Sequence, residues 1–226
     1  MSSQPFRPVA LVPAFEAEAT VGQVVEGLLA HVGEVVVVDD GSTDASGAVA
    51  ARAGARVLRL NVNSGKGSAI RAGLALLLAS DATHIAFVDA DGQHDPADLP
   101  ALLEAAREGD EFVIGSRMAD RHAIPAARYR TNEIGSRILS RMTGFEVEDG
   151  QSGYRVIAAD LLRRIRLSAR GYSIETEILL KSAPRLARLR HVPVRAVYGC
   201  PSHYRWFHDT WLISWGAVYY KVFEVE

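Results

Sequence analysis

Along the first 115 residues, short runs rich in β-branched residues alternate with longer stretches in which apolar positions recur every three or four residues. The runs Pro8–Val12, Glu34–Val38, Arg56–Leu60, Thr83–Val88 and Glu111–Gly115 predict buried strands. The stretches Thr20–His31, Thr43–Ala53, Gly65–Ser80 and Pro96–Glu108 predict helices, with Thr20 and Thr43 as caps and Pro96 in a first turn after Asp95. This alternation predicts right-handed crossovers and an α/β fold: a mainly parallel central sheet with helices on both faces. Ligands of such sheets bind beyond the carboxyl ends of the strands. After Gly115 the pattern loosens. It predicts a loop over Ser116–Ala127, a helix over Arg128–Met142 and a Gly- and acid-rich loop over Thr143–Ser152. A strand near Tyr154–Ile157, a helix from Glu175 to about Leu189 and a strand over His191–Val197 follow. Neither a repeat nor a low-complexity linker interrupts the chain, so one domain over 1–226 is expected.

The 226 residues (24.5 kDa) are 48% apolar and 23% charged, enough for one sizeable core and unlike a disordered chain. A lone cysteine, Cys200, excludes a disulfide scaffold and a Cys-rich zinc site. The first eight residues lack the apolar core of a signal peptide, and no apolar run approaches the roughly 20 residues of a spanning helix. The expectation is a cytoplasmic protein, in solution or peripheral on the cytoplasmic membrane face. The net charge of −2 hides an asymmetry: Arg117 to Arg195 holds 16 basic and 8 acidic residues, the remainder 9 basic and 19 acidic. An acidic part suits a cation and a basic part an anionic substrate or lipid surface, although folding also scatters surface charge in this way. Nucleic acid is not an expected partner, because the basic residues are not interleaved with a reading motif.

The clearest chemical signal is Asp89-Ala90-Asp91-Gly92-Gln93, directly after an apolar run. In extended backbone residues 89, 91 and 93 share a side. Two carboxylates and an amide oxygen there suit Mg²⁺ or Mn²⁺, ions that keep water or diphosphate oxygens as further ligands. The same residues also suit a solvated turn. A second acidic turn, Asp39-Asp40-Gly41-Ser42-Thr43-Asp44, follows the second strand. There Asp40 is placed to accept from a base N–H or a ribose hydroxyl, and Asp44 favours a helix start. Asn63-Ser64-Gly65-Lys66-Gly67-Ser68 opens a helix but lacks the first glycine of a phosphate loop, since Leu60 stands there; Lys66 remains a candidate for balancing phosphate charge.

Val12-Pro13-Ala14-Phe15, Val38-Asp39-Asp40-Gly41-Ser42-Thr43-Asp44, Asn63-x-Gly65-Lys66-Gly67, Asp89-Ala90-Asp91-Gly92-Gln93-His94-Asp95-Pro96, Gly115-Ser116-Arg117 and Gln151-Ser152-Gly153-Tyr154 occur in this order. Together they resemble the family 2 glycosyltransferases, most closely the dolichol-phosphate mannose synthase and bacterial polyprenyl-phosphate glycosyltransferase branch, over about residues 8–205. The resemblance implies a GT-A fold, a nucleotide-sugar donor and a divalent metal. It implies that Pro13, Ala14, Phe15, Glu16 and Asp40 hold the nucleoside and that Lys66 lies near the donor. Asp89, Ala90, Asp91 and Gln93 would bind the metal–diphosphate, with Arg117 adding charge. Residues 8–115 are expected to form the donor half and 116–205 the acceptor half. One departure stands out: relatives often carry a base-contacting Glu where this chain has Ala17, so Glu16 or Glu18 is the substitute.

The implied reaction is an inverting displacement at the anomeric carbon that expels a nucleoside diphosphate, with charge stabilised by the metal and Arg117. A hydroxyl acceptor needs a base, for which Asp149 is the candidate, although it also suits a loop-forming role; a lipid phosphate, already anionic, needs none. The basic stretch favours the lipid phosphate. So does the aromatic tail, where nine of the 17 aromatic residues lie from Tyr198 onward. Trp211, Trp215 and Tyr219 repeat at four-residue spacing on a helix over 203–226, suiting a membrane interface or a second subunit. Gln151, Ser152, Arg195, Ser202, His203 and Arg205 are the acceptor-phosphate candidates. Glu175 and Glu177 match a family motif but suit the first turn of a helix. A soluble hydroxyl acceptor is the second reading. A sugar-nucleotide pyrophosphorylase ranks third, because residues 12–20 lack its Gly-rich basic loop. A nicotinamide-dependent oxidoreductase would need GxGxxG after the first strand, which is absent.

Overall fold

In the computed structural model, residues 5–119 and 124–195 are described. Seven strands, β1 (Pro8–Ala14), β2 (Val35–Asp39), β3 (Arg56–Arg59), β4 (His84–Phe87), β5 (Phe112–Ser116), β6 (Arg155–Ala158) and β7 (Leu189–Pro193), form one sheet in the order β3-β2-β1-β4-β6-β5-β7. Four of its six pairings are parallel; β6 alone runs against both neighbours, β4 and β5. The mainly parallel α/β expectation is borne out. β2 is buried at every position because helices cover both faces, whereas edge strand β3 begins and ends on exposed arginines.

Helices α1 (Val21–Leu29), α2 (Ser46–Arg52) and α4 (Leu99–Arg107) cover one face, and α3 (Lys66–Leu77), α5 (Ala126–Thr143), α6 (Ala159–Arg163) and α7 (Ile174–Ser182) the other. Each face has its own core. Val12, Val37, Leu99 and Val156 belong to the first, and Leu11, Val38, Phe112 and Ile157 to the second. Alternate strand residues thus enter opposite cores, as the pleat requires.

The strand order reverses between β1 and β4, since the chain lays β2 and β3 on one side of β1 before returning to the other. The crevice at such a reversal is where open α/β sheets hold ligands. Antiparallel β6 adds something the periodicity did not carry: its amino end lies at the carboxyl edge of β4, with Arg155 opposite Phe87. The loop before β6 therefore reaches the same crevice as the loops after β1, β2, β4 and β5.

Local differences from expectation have local causes. Thr20 precedes α1 but makes no cap; its hydroxyl donates to the Ala90 carbonyl at 2.6 Å. Thr43 donates to Glu16, and α2 begins at Ser46, behind Asp44, which accepts from the Ser46 N–H and hydroxyl. Pro96 opens a 3-10 turn after Asp95, whose carboxylate accepts from the Ala97 N–H. The long last helix stops at Ser182, because Pro184 cannot continue it; a 3-10 turn follows and β7 starts two residues early, at Leu189. Helix α6 was not foreseen. The C-terminal aromatic stripe, Cys200, Ser202, His203 and Arg205 lie outside the described residues.

Helix α3 rests directly on the sheet through Gly73, where an added Cβ would lie 2.3 Å from Leu11 Cδ1 and 2.9 Å from Val38 Cγ2. Gly73→Val overpacks this contact and is expected to cost about 1–3 kcal/mol. Urea denaturation should show a lower midpoint at unchanged m-value.

Candidate active site

A cavity of about 450 Å³ opens at the sheet reversal. All the donor and metal candidates line it: Pro13, Ala14, Phe15, Glu16, Asp40, Lys66, Asp89, Ala90, Asp91, Gln93 and Arg117. Of the acceptor candidates within the described residues, Gln151 lines it while Ser152 and Arg195 do not. Ser152 is buried, its hydroxyl accepting from the Tyr154 N–H and its carbonyl from Arg155 Nε. Arg195 is held at the surface by Asp95 and Asp98.

The two acidic turns differ in function. Asp40 is buried, accepting from the Ser64 N–H at 2.9 Å and the Gly65 N–H at 2.7 Å, so it ties the turn after β2 to the start of α3. It also lines the cavity, as expected of a donor-side residue, and there it forms a wall that spans two loops. Glu16, at a positive φ of 50°, accepts from the backbone and hydroxyl of Thr43, and Glu18 accepts from the Ala45 N–H. Both carboxylates fasten the loop after β1 to the turn after β2. Ala17 lines the cavity beside Glu16.

The Asp89–Gln93 segment is a turn with Gly92 at a φ of 73°, not extended backbone. Its three oxygen-bearing side chains reach one cavity through the turn rather than through strand alternation. Asp91 accepts from the Gln93 N–H at 3.0 Å, and burial and the charge of Asp89 push its pKa up to about 6. Asp89 sits against Gly153, where any Cβ would lie 2.4 Å from Oδ2. Among the described residues no three His, Cys, Asp or Glu side chains close around one point. Two crowded carboxylates and an amide oxygen fit a hard divalent cation that takes its other ligands from water or a diphosphate.

Lys66 is the first residue of α3, and its Nζ lies 2.6 Å from Asp89 Oδ1 and 2.6 Å from Glu175 Oε1. Burial would lower its pKa, but the two carboxylates raise it well above the ordinary lysine value. The neighbouring glycines are a packing requirement: a Cβ at Gly65 would meet the Arg170 carbonyl at 2.5 Å, and one at Gly67 the Ala169 carbonyl at 2.5 Å.

Glu175 and Glu177, both expected to stabilise a helix start, divide their roles. Glu177 accepts from the Ser168 and Ala169 N–H groups and the Ser168 hydroxyl and pairs with Lys181, which anchors the loop against α3. Glu175 enters the cavity.

Arg117 donates through Nε and Nη2 to Asp149 at 2.8 and 2.9 Å, and its backbone N–H donates to the same carboxylate. Asn132 of α5 donates to Asp149 Oδ1 at 2.7 Å. Asp149 is fully buried. Burial works to raise its pKa, but the Arg117 charge and the hydrogen bonds from Arg117 and Asn132 hold it far below the usual carboxylate range. Asp149, the candidate base, thus holds the Arg117 guanidinium in a fixed orientation.

Arg155, 1% exposed, donates to the Gly150, Ser152 and Glu175 carbonyls at 2.7–2.8 Å, joining the loop before β6 to α7. His94 lies on the cavity wall beside Tyr154, with Nδ1 buried and unbonded, and burial lowers its pKa to about 4. Asn132 and Arg155 were not legible in the sequence, and Glu175 was named there only for a helix start and a motif match. Only Glu175 carried a signal, in its spacing from Glu177.

Fold and site together define a GT-A glycosyltransferase, and the comparisons agree. The model "Glycosyl transferase family 2" matches residues 9–166, so the chain belongs to that family and is a transferase. The undecaprenyl-phosphate mannosyltransferase of Micrococcus luteus is 35% identical over 73% of this chain and 72% of its own. Glycosyltransferase AglJ of Haloferax volcanii is 32% identical over 81% of this chain, which spans only 60% of that protein. A solved structure of glucosyl-3-phosphoglycerate synthase from Mycobacterium tuberculosis, in complex with Mn²⁺, uridine diphosphate and glucosyl-3-phosphoglycerate, is 25% identical. It has a TM-score of 0.73, and the match covers 95% of this chain and 78% of that one. The expected family, branch and fold are borne out.

Asp149→Asn leaves the half-buried Arg117 against a neutral partner and is expected to cost about 1–3 kcal/mol at pH 7. A carboxylate with a depressed folded pKa stabilises fully above its unfolded value of 3.8 and loses that contribution as pH falls through the range below it. Urea unfolding should therefore show the gap between wild type and variant closing below about pH 4. A gap of the same size at pH 3 and pH 7 would exclude the ion pair as its cause.

Proposed function

We propose that the protein transfers a hexose, with inversion, from a nucleoside-diphosphate donor to a polyprenyl phosphate, with residues 8–115 holding the donor and 116–205 the acceptor. The carrying observation is the state of the carboxylates. Those lining the cavity each have a partner: Glu16 has Thr43, Asp40 has Ser64 and Gly65, Asp91 has Gln93, and Asp89 and Glu175 share Lys66. Asp149 is closed off by Arg117 and Asn132. A hydroxyl acceptor must lose a proton to a base, whereas a phosphate monoester attacks as the anion it already is. The relative named an undecaprenyl-phosphate mannosyltransferase supports the same acceptor class.

Within this reading Pro13, Ala14, Phe15 and Ala17 form the nucleoside wall. Asp89, Asp91 and Gln93 would hold a divalent cation, Mg²⁺ or Mn²⁺, which when bound supplies positive charge to the departing diphosphate. Lys66 and Arg117 add fixed charge around the same space. Arg117 does so from a guanidinium locked by Asp149, so little reorganisation accompanies the reaction. Tyr172, on the wall with Lys66 and Glu175, helps exclude water.

The reading has the protein meet its lipid at a membrane surface; among the described residues no helix is long and apolar enough to cross a membrane. Transfer to a small phosphate-bearing hydroxyl acid is the second reading, favoured by the fold shared with glucosyl-3-phosphoglycerate synthase.

Incubation with GDP-mannose, UDP-glucose or UDP-GlcNAc and polyprenyl phosphate should yield a lipid-linked sugar that chelation abolishes. Asp91→Asn should lower the rate by roughly 10²–10³ with unchanged circular dichroism. Product formed only with 3-phosphoglycerate-type acceptors would replace the lipid by the second reading. Full activity in chelator would remove the cation from the mechanism.

A further inference from the structure

Asp89 is hemmed in on two sides. Its Oδ2 lies so close to Gly153 that no side chain fits there, and its Oδ1 is 2.6 Å from the Lys66 ammonium. A cation bound to this carboxylate from the cavity therefore arrives where Lys66 already stands, because the carboxylate cannot retreat toward Gly153. Two positive charges at that separation in a largely buried cavity exclude one another. Lys66 cannot be carried away with its helix either. The α3 start is seated on the Ala169 and Arg170 carbonyls through Gly65 and Gly67, and the backbone N–H groups just before it are held by Asp40. What can move is the four-carbon stem, and its second partner Glu175 is part of the same cavity wall.

We propose that Lys66 is a displaceable internal counter-ion. Without donor it neutralises Asp89; when the donor loads, it yields Asp89 to the divalent cation and turns to the diphosphate, while Glu175 keeps it within the cavity. This rests on the donor-site reading above and adds to it an order: the cation alone competes with Lys66, whereas cation and nucleotide together give the displaced ammonium a new anion. Metal and nucleotide binding are then positively coupled, with Lys66 as the coupling element and Glu175 as its positioning residue.

The test is the affinity of the full chain for Mn²⁺, measured by the electron paramagnetic resonance signal of the free ion. It is taken alone and with saturating UDP or GDP. For the wild type, nucleotide should tighten Mn²⁺ binding roughly tenfold or more. In Lys66→Met, Mn²⁺ alone should bind about tenfold tighter than in the wild type, and the coupling ratio should fall severalfold, to what direct ligation by the diphosphate oxygens leaves. In Glu175→Gln the ammonium is left to Asp89, so Mn²⁺ alone should bind several-fold more weakly and the ratio should grow. Because the Glu175 variant retains the lysine, it carries the test even if circular dichroism shows Lys66→Met misfolded. If Lys66→Met tightens Mn²⁺ equally with and without nucleotide, Lys66 acts only as a fixed field and the switch is overturned. If wild-type protein binds no Mn²⁺ with either nucleotide, the donor-site reading falls and the switch with it.

Discussion

Charge taken out of water must be paired, and at the carboxyl edge of this sheet that requirement organises nearly everything else. Asp40, Asp149, Arg155, Glu175 and Glu177 are all nine-tenths or more buried. An isolated charge in such surroundings would be prohibitively unfavourable. Each instead reaches across to a different segment. Asp40 holds the loop before α3, Asp149 holds Arg117 and Asn132, Arg155 holds three carbonyls, and Glu177 holds the loop at residues 168–169. The cavity walls are therefore cross-linked by electrostatics rather than by apolar packing, which lies deeper, on the two faces of the sheet.

This pairing separates groups that shape the cavity from groups left to act in it. Asp149 and Arg117 form a bidentate pair whose arginine fronts the cavity while its carboxylate is sealed behind. Lys66 is different, being shared between two carboxylates, Asp89 and Glu175. A lysine ammonium is a compact point charge on a flexible stem, better suited to changing partners than the planar guanidinium of Arg117. A fixed arginine and a transferable lysine around one acidic turn form a site whose charge can be redistributed when an anionic ligand arrives.

Some of this was legible from residue order alone. The five β-branched runs and the helices between them announced the parallel sheet, and Asp89-Ala90-Asp91, Lys66 and Arg117 were placed at its carboxyl edge because each follows a strand or opens a helix. The reasons offered were sometimes mistaken. The shared side of residues 89, 91 and 93 comes from a turn rather than from extended backbone, and the glycines at 65 and 67, which fell short of a phosphate loop, serve the close approach of two backbone segments. Asp149 illustrates the limit best. A carboxylate in a polar loop looks like a base until its partners are known, and Asn132, 17 residues away on a helix with no motif, is one of them.

Periodicity, turn chemistry and motif order are properties of neighbours along the chain, so the sequence by itself determined the sheet class, the edge at which ligands bind, the family, and most of the residues lining the cavity. Protonation, availability and alternative partners depend on what lies across the fold, and only the tertiary structure decided those. The reversed strand β6, which no short-range pattern marks as antiparallel, brings residues 149–153 to the crevice, and the short helix α7 delivers Glu175 to Lys66. Whether a carboxylate binds, positions or reacts is set by the dielectric and the charges within a few ångströms of it, and those come from segments up to 109 residues apart, as with Lys66 and Glu175.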